Sequence, residues 1–348
     1  MFWPAAVVLA FCLPFIFTDN YFASVAVEFG LYGSISLMWM LVLGTAGIFS
    51  LATLAIVGTS AYFVSYFGGA TEGGFYATSG WPLWAMLLAG PAVGAVTGAI
   101  VAAPALRLLG VYLALLTVGL VQLCQTIVSQ YNSLGAGAGT YGAATFVSQS
   151  QTGTSTARYI TYFVALALLL VSLIVYWLVE KGRLGLLLRT ARESEQVARS
   201  IGIDVVRARF GVLLVSSAML GLVGASYVGF YSGVSPEIFS FNTLLLLLAM
   251  MVVGGFGSAK GVMIGTALVV FIDQHYAQTG AKRYLALGVL MLVVTLFATD
   301  GLVGIPAQVR GWLHGRRSLR RHSETAPAAE ATGAGDRAAN DSFLMETE

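Results

Sequence analysis

Long apolar runs, separated by short polar segments, form the main pattern of this chain. Each run approaches the roughly 20 residues that a helix needs to cross a bilayer, and few of them contain a charge. We therefore predict an all-α fold, a polytopic transmembrane helical bundle of about ten spans. The predicted spans are residues 2–17, 28–43, 49–67, 81–103, 111–131, 159–179, 210–231, 241–253, 262–272 and 284–299.

Two of these runs, 241–253 and 262–272, are short, and a glycine-rich stretch lies between them. Short helices of this kind occur inside membrane bundles, where neighbouring protein satisfies the backbone polar groups that they leave open. We therefore expect two short, glycine-interrupted helices packed within the bundle.

The composition of the chain agrees with a lipid environment. The chain is 57% hydrophobic and 10% charged, whereas an ordinary soluble domain contains roughly 25% charged residues. The first run, 2–17, follows no basic segment, and no small-x-small cleavage site precedes Asp19. We therefore expect this run to be a retained span rather than a signal peptide.

The positive charges predict the orientation of the chain. The long loop 181–209 is basic, and Lys and Arg accumulate in the cytoplasmic loops of membrane proteins. Alternation of the spans then places Arg107, Lys260 and the arginines of the C-terminal tail on the same side. The basic residues left outside are Arg158, Lys282 and Arg283. Both termini are therefore predicted to be cytoplasmic.

We divide the chain into two parts on this pattern. Residues 1–309 are the transmembrane domain, which includes the cytoplasmic loop 181–209. Residues 310–348 begin with arginines and continue with Ala, Thr, Glu and Gly, with few large apolar side chains. Such a segment cannot bury enough apolar surface to fold, so we predict a disordered cytoplasmic tail.

Catalytic or ion-binding chemistry inside a membrane needs ionisable or nucleophilic side chains within the spans. Glu28 and Asp273 lie at predicted outer ends of spans, and the three histidines lie in loops or in the tail. The glycine-rich stretch around Lys260 lacks the Gly-Lys-Ser/Thr sequence that cradles nucleotide phosphates. We therefore expect no enzyme activity, no cofactor and no metal site, and any ATP hydrolysis must come from another protein.

The middle of the basic loop is predicted to form a helix over 184–201, with Gly202 as its C-terminal stop. A narrow stripe of small and apolar residues follows one face of this helix, with charged residues around it. The stripe consists of Ala191, Ser194, Ala198 and Ile201. One interpretation is a basic surface helix that only sets topology, and the other is a helix whose stripe enters a groove on a partner protein.

Several ordered sequence blocks resemble one transporter family. They are GLLLRTARESE at 185–195, VSPEIF at 234–239, VGGFGS at 253–258, LRLLGVYLALLT at 106–117, and Ser50-Leu51 with Gly58 and Ala61-Tyr62. In this order and spacing they are similar to the permease subunits of bacterial branched-chain amino acid ABC importers, the LivM-like group. The resemblance covers about residues 43–305.

The resemblance implies a set of partners and a mechanism. The partners would be a second, LivH-like permease, two cytoplasmic ATP-binding subunits, an extracytoplasmic solute-binding protein and membrane lipid, with no nucleic acid. The location would be the bacterial inner (plasma) membrane, and solute would move inward by alternating access. The residues implied in coupling to the ATPase are Arg189, Arg192, Glu193, Glu195, Ala198, Ile201 and Gly202.

Two departures from the family pattern leave the solute open. Where the family usually has Ser-Leu-Gly-His, this chain has Ser50-Leu51-Ala52-Thr53. Where the family usually has a Thr-Gly-Gly-x-x-Gly-like outer segment, this chain has GAGAGTYG at 135–142, without the threonine expected before the glycines. The solute could therefore be a branched-chain amino acid, urea, an amide or another small polar molecule. An alternative function is a passive channel for small neutral solutes such as urea or short amides.

Polar residues within apolar spans are the candidates for the solute path, because a polar solute needs hydrogen-bond partners where water is excluded. They are Ser50, Thr53, Thr117, Gln122, Gln125 and Asn242. The competing interpretation is that these side chains bond neighbouring helices. No charged side chain is expected at mid-depth to bind a carboxylate or ammonium group, which predicts a weak transmembrane site and selectivity in the binding protein.

Overall fold

A computed structural model describes residues 20–68, 82–108, 110–143, 145–146, 154–200, 202–255, 258–279 and 281–297. The predicted first span, 2–17, and the predicted tail, 310–348, lie outside the described residues. So does Ile201 of the basic loop.

The described chain is mostly helical, and its helices follow the apolar runs. They are α1 (Asn20–Met40), α2 (Thr53–Phe67), α3 (Leu83–Ala105), α4 (Val111–Gln130), α5 (Thr154–Lys181), α6 (Arg183–Glu193), α7 (Glu195–Ser200), α8 (Val205–Tyr231), α9 (Phe241–Gly254), α10 (Ala259–His275) and α11 (Ala281–Phe297). A π segment, Leu41–Ala46, continues α1. Short strands β1 (Thr140–Tyr141) and β2 (Gly233–Val234) pair antiparallel.

The described residues contain fewer full-length spans than the ten predicted for the whole chain. Among the described residues, five helices are long and apolar enough to cross a membrane: Ser24–Ala46, Trp84–Ala105, Val111–Gln130, Tyr159–Lys181 and Val205–Tyr231. Helices α2, α9 and α11 are apolar but shorter than a bilayer requires. The chain is a multi-pass helical membrane protein, but about ten spans are not confirmed.

Helices α1 and α8 form the centre of the bundle. Their apolar windows are 72% and 67% buried, against 33%, 22% and 33% for α3, α4 and α5. Helix α8 packs against α1, α2 and α3, while α1 also contacts α5 and α10. The three less buried helices therefore leave apolar faces at the periphery, which suits contact with lipid.

Backbone contact between helices replaces side-chain packing where α3 crosses α8. A Cβ atom on Gly94 would lie 2.3 Å from the carbonyl oxygen of Ser217. The hydroxyl of Ser60 on α2 donates to the carbonyls of Gly90, at 3.1 Å, and Gly221, at 2.8 Å. Small residues thus bring three helices together around shared backbone hydrogen bonds.

The two short helices α9 and α10 also meet through glycine. A Cβ on Gly254 would lie 2.4 Å from the carbonyl oxygen of Gly261, and one on Gly265 would lie 2.4 Å from that of Met250. Helix α10 is longer than its predicted apolar run, and Ser258 caps it by accepting from the Gly261 amide at 3.1 Å. The predicted pair of short glycine-interrupted helices is confirmed.

The connection between the π segment and α2 lies inside the bundle. Trp39 Nε1 on α1 donates to the Ser50 carbonyl at 2.8 Å, and the Leu51 amide donates to Thr117 Oγ1 at 3.0 Å. Ser50 and Leu51 are buried. Non-helical backbone is tolerated at membrane depth when protein satisfies its polar groups, so α2 can begin within the bundle.

The basic loop forms two helices rather than the single predicted one. Helix α6 ends at Glu193, and Ser194 has extended backbone, with φ −155° and ψ 108°. The Ser194 hydroxyl oxygen accepts from the Val197 amide at 3.4 Å, which is the position of a serine N-cap for α7. The prediction of a continuous helix over 184–201 is therefore wrong at Ser194.

Gly202 is the predicted stop. Its φ of +83° is left-handed. Its amide donates to the Arg199 carbonyl at 3.1 Å, and the Ile203 amide donates to the Ala198 carbonyl at 3.0 Å. This pair of bonds is a Schellman motif, which ends a helix at a glycine.

Candidate functional site

A cavity of about 330 Å³ lies between α1, α2, α8, α9, α10 and α11. Its charged lining residues are Glu28, Glu237, Asp273 and Arg283. Its other polar lining residues are Tyr32, Tyr227, Tyr231, Ser235, Ser240, Asn242 and Thr243. Its apolar lining residues are Leu31, Ile35, Leu54, Val57, Ile238 and Leu246. The volume is at the lower end of the range for small-molecule sites.

One face of α1 changes from charged to apolar along the cavity. Glu28, Leu31, Tyr32 and Ile35 stand at i, i+3, i+4 and i+7, which places them on one side of the helix. Seven residues span about 10 Å along an α-helix. The carboxylate therefore lies at one end of this wall and aliphatic side chains at the other.

Asp273 and Arg283 form a two-point ion pair in the cavity wall. Arg283 donates from Nε and Nη2 to the two carboxylate oxygens of Asp273. Asp273 is only 3% exposed, so the neighbouring guanidinium compensates its charge in place of water. The pair joins the C-terminal end of α10 to the N-terminal end of α11.

Glu28 has an acceptor atom that no described group satisfies. Its Oε2 is buried without a hydrogen-bond partner among the described residues, while the side chain of Gln274 hydrogen-bonds to the carboxyl group. Glu28 is a charged side chain that the sequence pattern does not predict in this cavity lining. Asp273 lies near the C-terminal end of α10 as predicted, whereas Glu28 lies about two turns inside α1 rather than at its end. The tertiary fold turns both side chains into a cavity.

The predicted solute-path residues fall into four places. Asn242 is exposed and lines the cavity. Thr53 is buried at the start of α2, next to the cavity residue Leu54. Gln122 and Gln125 are on α4, which contributes no residue to the cavity lining. Ser50 and Thr117 meet at the buried connection before α2.

The Thr117 hydroxyl lies within hydrogen-bonding distance of three backbone groups. Oγ1 accepts from the Leu51 amide at 3.0 Å and lies 2.9 Å from the Leu113 carbonyl and 3.0 Å from that of Ala114. Thr117 has no exposed surface. This geometry supports the interpretation in which Thr117 holds helices together.

The basic loop packs its small stripe against its own chain. Ala191 and Ala198 are buried, as is Leu188, and α6 contacts the π segment and α8. The two alanines of the stripe therefore contribute to the core of the chain itself and are not accessible to a partner's groove in this structure. The outer face of α6 and α7 carries other residues: Leu186, Arg189, Arg192, Gln196, Val197, Arg199 and Ser200.

Arg192 connects this segment to the central helix. Its Nη1 donates to the Gly44 carbonyl in the π segment at 2.7 Å, beside a second cavity of about 370 Å³. Arg189 pairs with Glu180 at the end of α5 at 2.6 Å. The side chains of Glu193 and Glu195 lie outside the described part of the chain.

A family comparison covers both the main cavity and this segment. Residues 21–298 match the family profile of the branched-chain amino acid transport system / permease component. The chain belongs to this family. The matched range includes Glu28 and Arg283 of the cavity as well as Arg192 of the basic segment.

Three curated relatives of this permease are branched-chain amino acid transport permease proteins named LivM. The proteins of Salmonella typhimurium and Escherichia coli are described as high-affinity, and each is 27% identical over 74% of this chain and 67% of its own length. The probable LivM of Methanocaldococcus jannaschii is 26% identical over 79% of this chain and 91% of its own length. No solved structure matches the chain significantly.

Two of the sequence blocks meet at the permease cavity. The segment Pro236–Phe239 contributes Glu237 and Ile238 to the lining, and α2 contributes Leu54 and Val57. Sequence reasoning missed Glu28 and Glu237 as site residues. The one signal for Glu28 is its helical spacing to other residues of α1, and this spacing alone does not indicate which face borders a cavity.

Proposed function

We propose that this permease is the transmembrane subunit of an ATP-driven importer for a branched-chain amino acid or a related small polar solute. Solute moves inward by alternating access, driven by separate ATPase subunits. The partners are a second, LivH-like permease, two cytoplasmic ATP-binding subunits and an extracytoplasmic solute-binding protein. The complex lies in the bacterial plasma membrane, with both termini of this chain in the cytoplasm.

The observation that supports this proposal most is the position of α1 between the cavity and the basic segment. Glu28 lines the cavity from the N-terminal half of α1, and Gly44, in the π segment that continues α1, accepts the Arg192 hydrogen bond. Sixteen residues separate them, or about 24 Å along an α-helix. A displacement of the segment can therefore move a cavity wall as a rigid element.

The outer face of α6 and α7 is the proposed docking surface for the ATPase. Val197 is 54% exposed, and Arg189 and Arg199 are exposed on the same two helices. An apolar contact bordered by arginines suits a protein interface, in which the apolar group is buried and the charges set the register. Arg189 and Arg192 thus remain proposed coupling residues, while the buried Ala198 packs the segment against the rest of the chain.

The test substitutes exposed residues of the docking face and leaves the buried residues unchanged. In the double variant Val197→Asp with Arg199→Glu, membrane insertion should be normal and ATP-dependent uptake should fall at least about tenfold, the effect of about 1.4 kcal/mol. Arg107→Glu is the matched control, because Arg107 is exposed on another loop that the predicted topology places in the cytoplasm. Uptake by membrane vesicles, with and without ATP, is the measurement.

The same vesicles separate an importer from a passive channel. A channel conducts its solute equally in the wild type, the double variant and the control, and it does so without ATP. Uptake of that kind would overturn the proposal. Loss of uptake in the Arg107→Glu control as severe as in the double variant would contradict the assignment of the docking face.

A further inference from the structure

Two glutamines lie near the middle of a transmembrane helix. Gln122 and Gln125 are on α4, which runs from Val111 to Gln130. The Cα of Gln122 is within about 3 Å of the midpoint of this helix, and that of Gln125 is within about 7 Å. Both residues are half-buried, and neither lines the main cavity or the second one. Their amide groups therefore lie at hydrocarbon depth, outside the lining of both cavities.

These amide groups have no partner within the part of the chain that the structure describes. The hydrogen bond at Gln122 comes from the Thr126 hydroxyl and uses the backbone carbonyl rather than the side chain. Neither side-chain amide bonds to another described residue. Each amide has two N–H donors and a carbonyl acceptor, and hydrocarbon satisfies none of them. A polar group from outside the described bundle is therefore strongly favoured at this place.

The two glutamines belong to a row of residues on one side of α4. A different side of the helix faces the bundle, as shown by its buried residues Leu113, Thr117, Val121 and Val128. The glutamine row follows spacings of three and four residues, which align its members along the helix: Gly119, Gln122, Gln125 and Ser129. An added Cβ on Gly119 would have no atom within 4 Å. A second helix can therefore approach the glutamine row closely, as helices in membranes do at small residues.

The occupant that fits the glutamine row is a transmembrane helix with hydrogen-bonding side chains, because lipid tails offer no such groups. The second permease of the proposed importer supplies transmembrane helices, and permeases named LivH are related to this chain. The probable LivH of Methanocaldococcus jannaschii is 26% identical over 42% of this chain and 48% of its own length. Related subunits that pair through equivalent surfaces form a closed contact around an approximate two-fold axis. The helix of the partner that corresponds to α4 would then face α4.

We propose that the glutamine row is the contact surface for the second permease, whose facing helix hydrogen-bonds the amides of Gln122 and Gln125. The inference rests on the proposed function and deepens it by assigning a surface to this partner. It also removes both glutamines from the solute path, because the partner subunit occupies their amides. The exposed side of α3 around Val96 is left to lipid.

The first test is photo-crosslinking in native membranes. A benzophenone amino acid replaces Gln122 in the full-length chain, and mass spectrometry identifies the product after irradiation. We expect a cross-link to a transmembrane peptide of a LivH-like permease. Val96 is the matched control, because it is 62% exposed and lies equally close to the middle of α3. The same amino acid in place of Val96 should give no cross-link to that permease.

The second test removes the amides. The double variant Gln122→Leu with Gln125→Leu keeps side chains of similar size, and it should weaken association of the two permeases in lipid bilayers by about 3–30-fold, the range for hydrogen bonds between membrane helices. The apparent Tm of this chain alone should not fall, because the amides have no partner within its described residues. Gln130→Leu is the control, since Gln130 is exposed at the end of α4 and should leave the association unchanged.

Four results would overturn the inference. They are a cross-link from position 122 to the predicted first span 2–17 of the same chain, a cross-link to a second copy of this chain, cross-linking to lipid alone, and a lower Tm of the isolated double variant. The proposed import function has a separate readout. ATP-dependent uptake by a complex that contains the second permease, without a cross-link from position 122, places the interface elsewhere. Uptake without ATP overturns the import function whatever position 122 contacts.

Discussion

The ring of Phe239 lies directly on Gly58, where an added Cβ would come within 2.2 Å of the ring atom Cε1. Phe239 has no exposed surface, and its ring also stacks on Tyr62 at a centroid distance of 5.9 Å. This contact holds the segment Pro236–Phe239 on α2. Since both elements line the cavity, it fixes the separation of two cavity walls.

Gly58→Ala should therefore lower stability. The new methyl group overlaps a fully buried ring, and overpacking of this kind costs about 1–3 kcal/mol. The measurement is the apparent Tm of the detergent-solubilised protein, followed by tryptophan fluorescence. Gly119→Ala on α4 is the control, because nothing lies within 4 Å of its added Cβ, and it should be neutral or slightly stabilising. Equal Tm values for the two variants would contradict the close contact.

Gly254→Ala should separate α9 from α10. Its Cβ would meet the Gly261 carbonyl oxygen at 2.4 Å, and backbone cannot yield as the end of a flexible side chain can. We expect a loss of about 2 kcal/mol or more, seen as a lower apparent Tm. Gly288→Ala on α11, with open space around its Cβ, should leave the Tm unchanged. A tolerated Gly254→Ala would mean that these helices lie farther apart.

Thr117→Val tests whether Thr117 binds solute or supports the fold. Removal of Oγ1 leaves the buried Leu51 amide without its acceptor, which costs about 1–3 kcal/mol. Thr117→Ser should retain both the wild-type Tm and the wild-type order of solute preference. Thr126→Val is the control, since Thr126 is exposed and bonds only the Gln122 carbonyl of its own helix. A change in solute preference in Thr117→Ser at unchanged Tm would favour the solute path instead.

Asp273→Asn should remove the two-point ion pair that Arg283 forms in the cavity wall. Breaking a buried ion pair by removing one partner costs roughly 3–5 kcal/mol. The double variant Asp273→Asn with Arg283→Gln should recover much of the loss, because no charge remains to be compensated. By contrast, Glu180→Gln disrupts a more exposed pair and should cost no more than about 1 kcal/mol. The comparison is thermal unfolding, in one detergent, of the wild type, these three variants and Arg283→Gln alone. A loss in the double variant equal to the sum of the two single losses would argue against direct pairing.

The helices could be predicted from sequence because each depends mainly on its own apolar run. Helix α4, for example, begins at Val111, where the apolar pattern begins, and ends within one residue of the predicted boundary. Span number could not be predicted in the same way. Whether a helix such as α2 crosses the bilayer or begins inside the bundle depends on bonds like that from Trp39 to Ser50, which join distant positions.

The candidate site could be predicted only in part for a related reason. A carboxylate near the end of a span, such as Glu28, has the same sequence pattern whether it faces water or a cavity. Which of the two holds is decided by α8, α10 and α11, all distant in sequence. The helix break at Ser194 has a local sequence signal, because serine is a strong N-cap. The helical pattern on both sides of Ser194 obscures that signal.

The hydrogen bond from Arg192 to Gly44 has a thermodynamic consequence through α1. If occupation of the docking face by a partner changes the affinity of the cavity for its ligand by some factor, linkage requires the ligand to change the partner's affinity by the same factor. Ligand binding in the cavity would then change the affinity of the docking face for its partner before the ligand reaches the cytoplasm. Under the proposed import function, α1 would therefore transmit information in both directions, from the docking face to the cavity and from the cavity to the docking face.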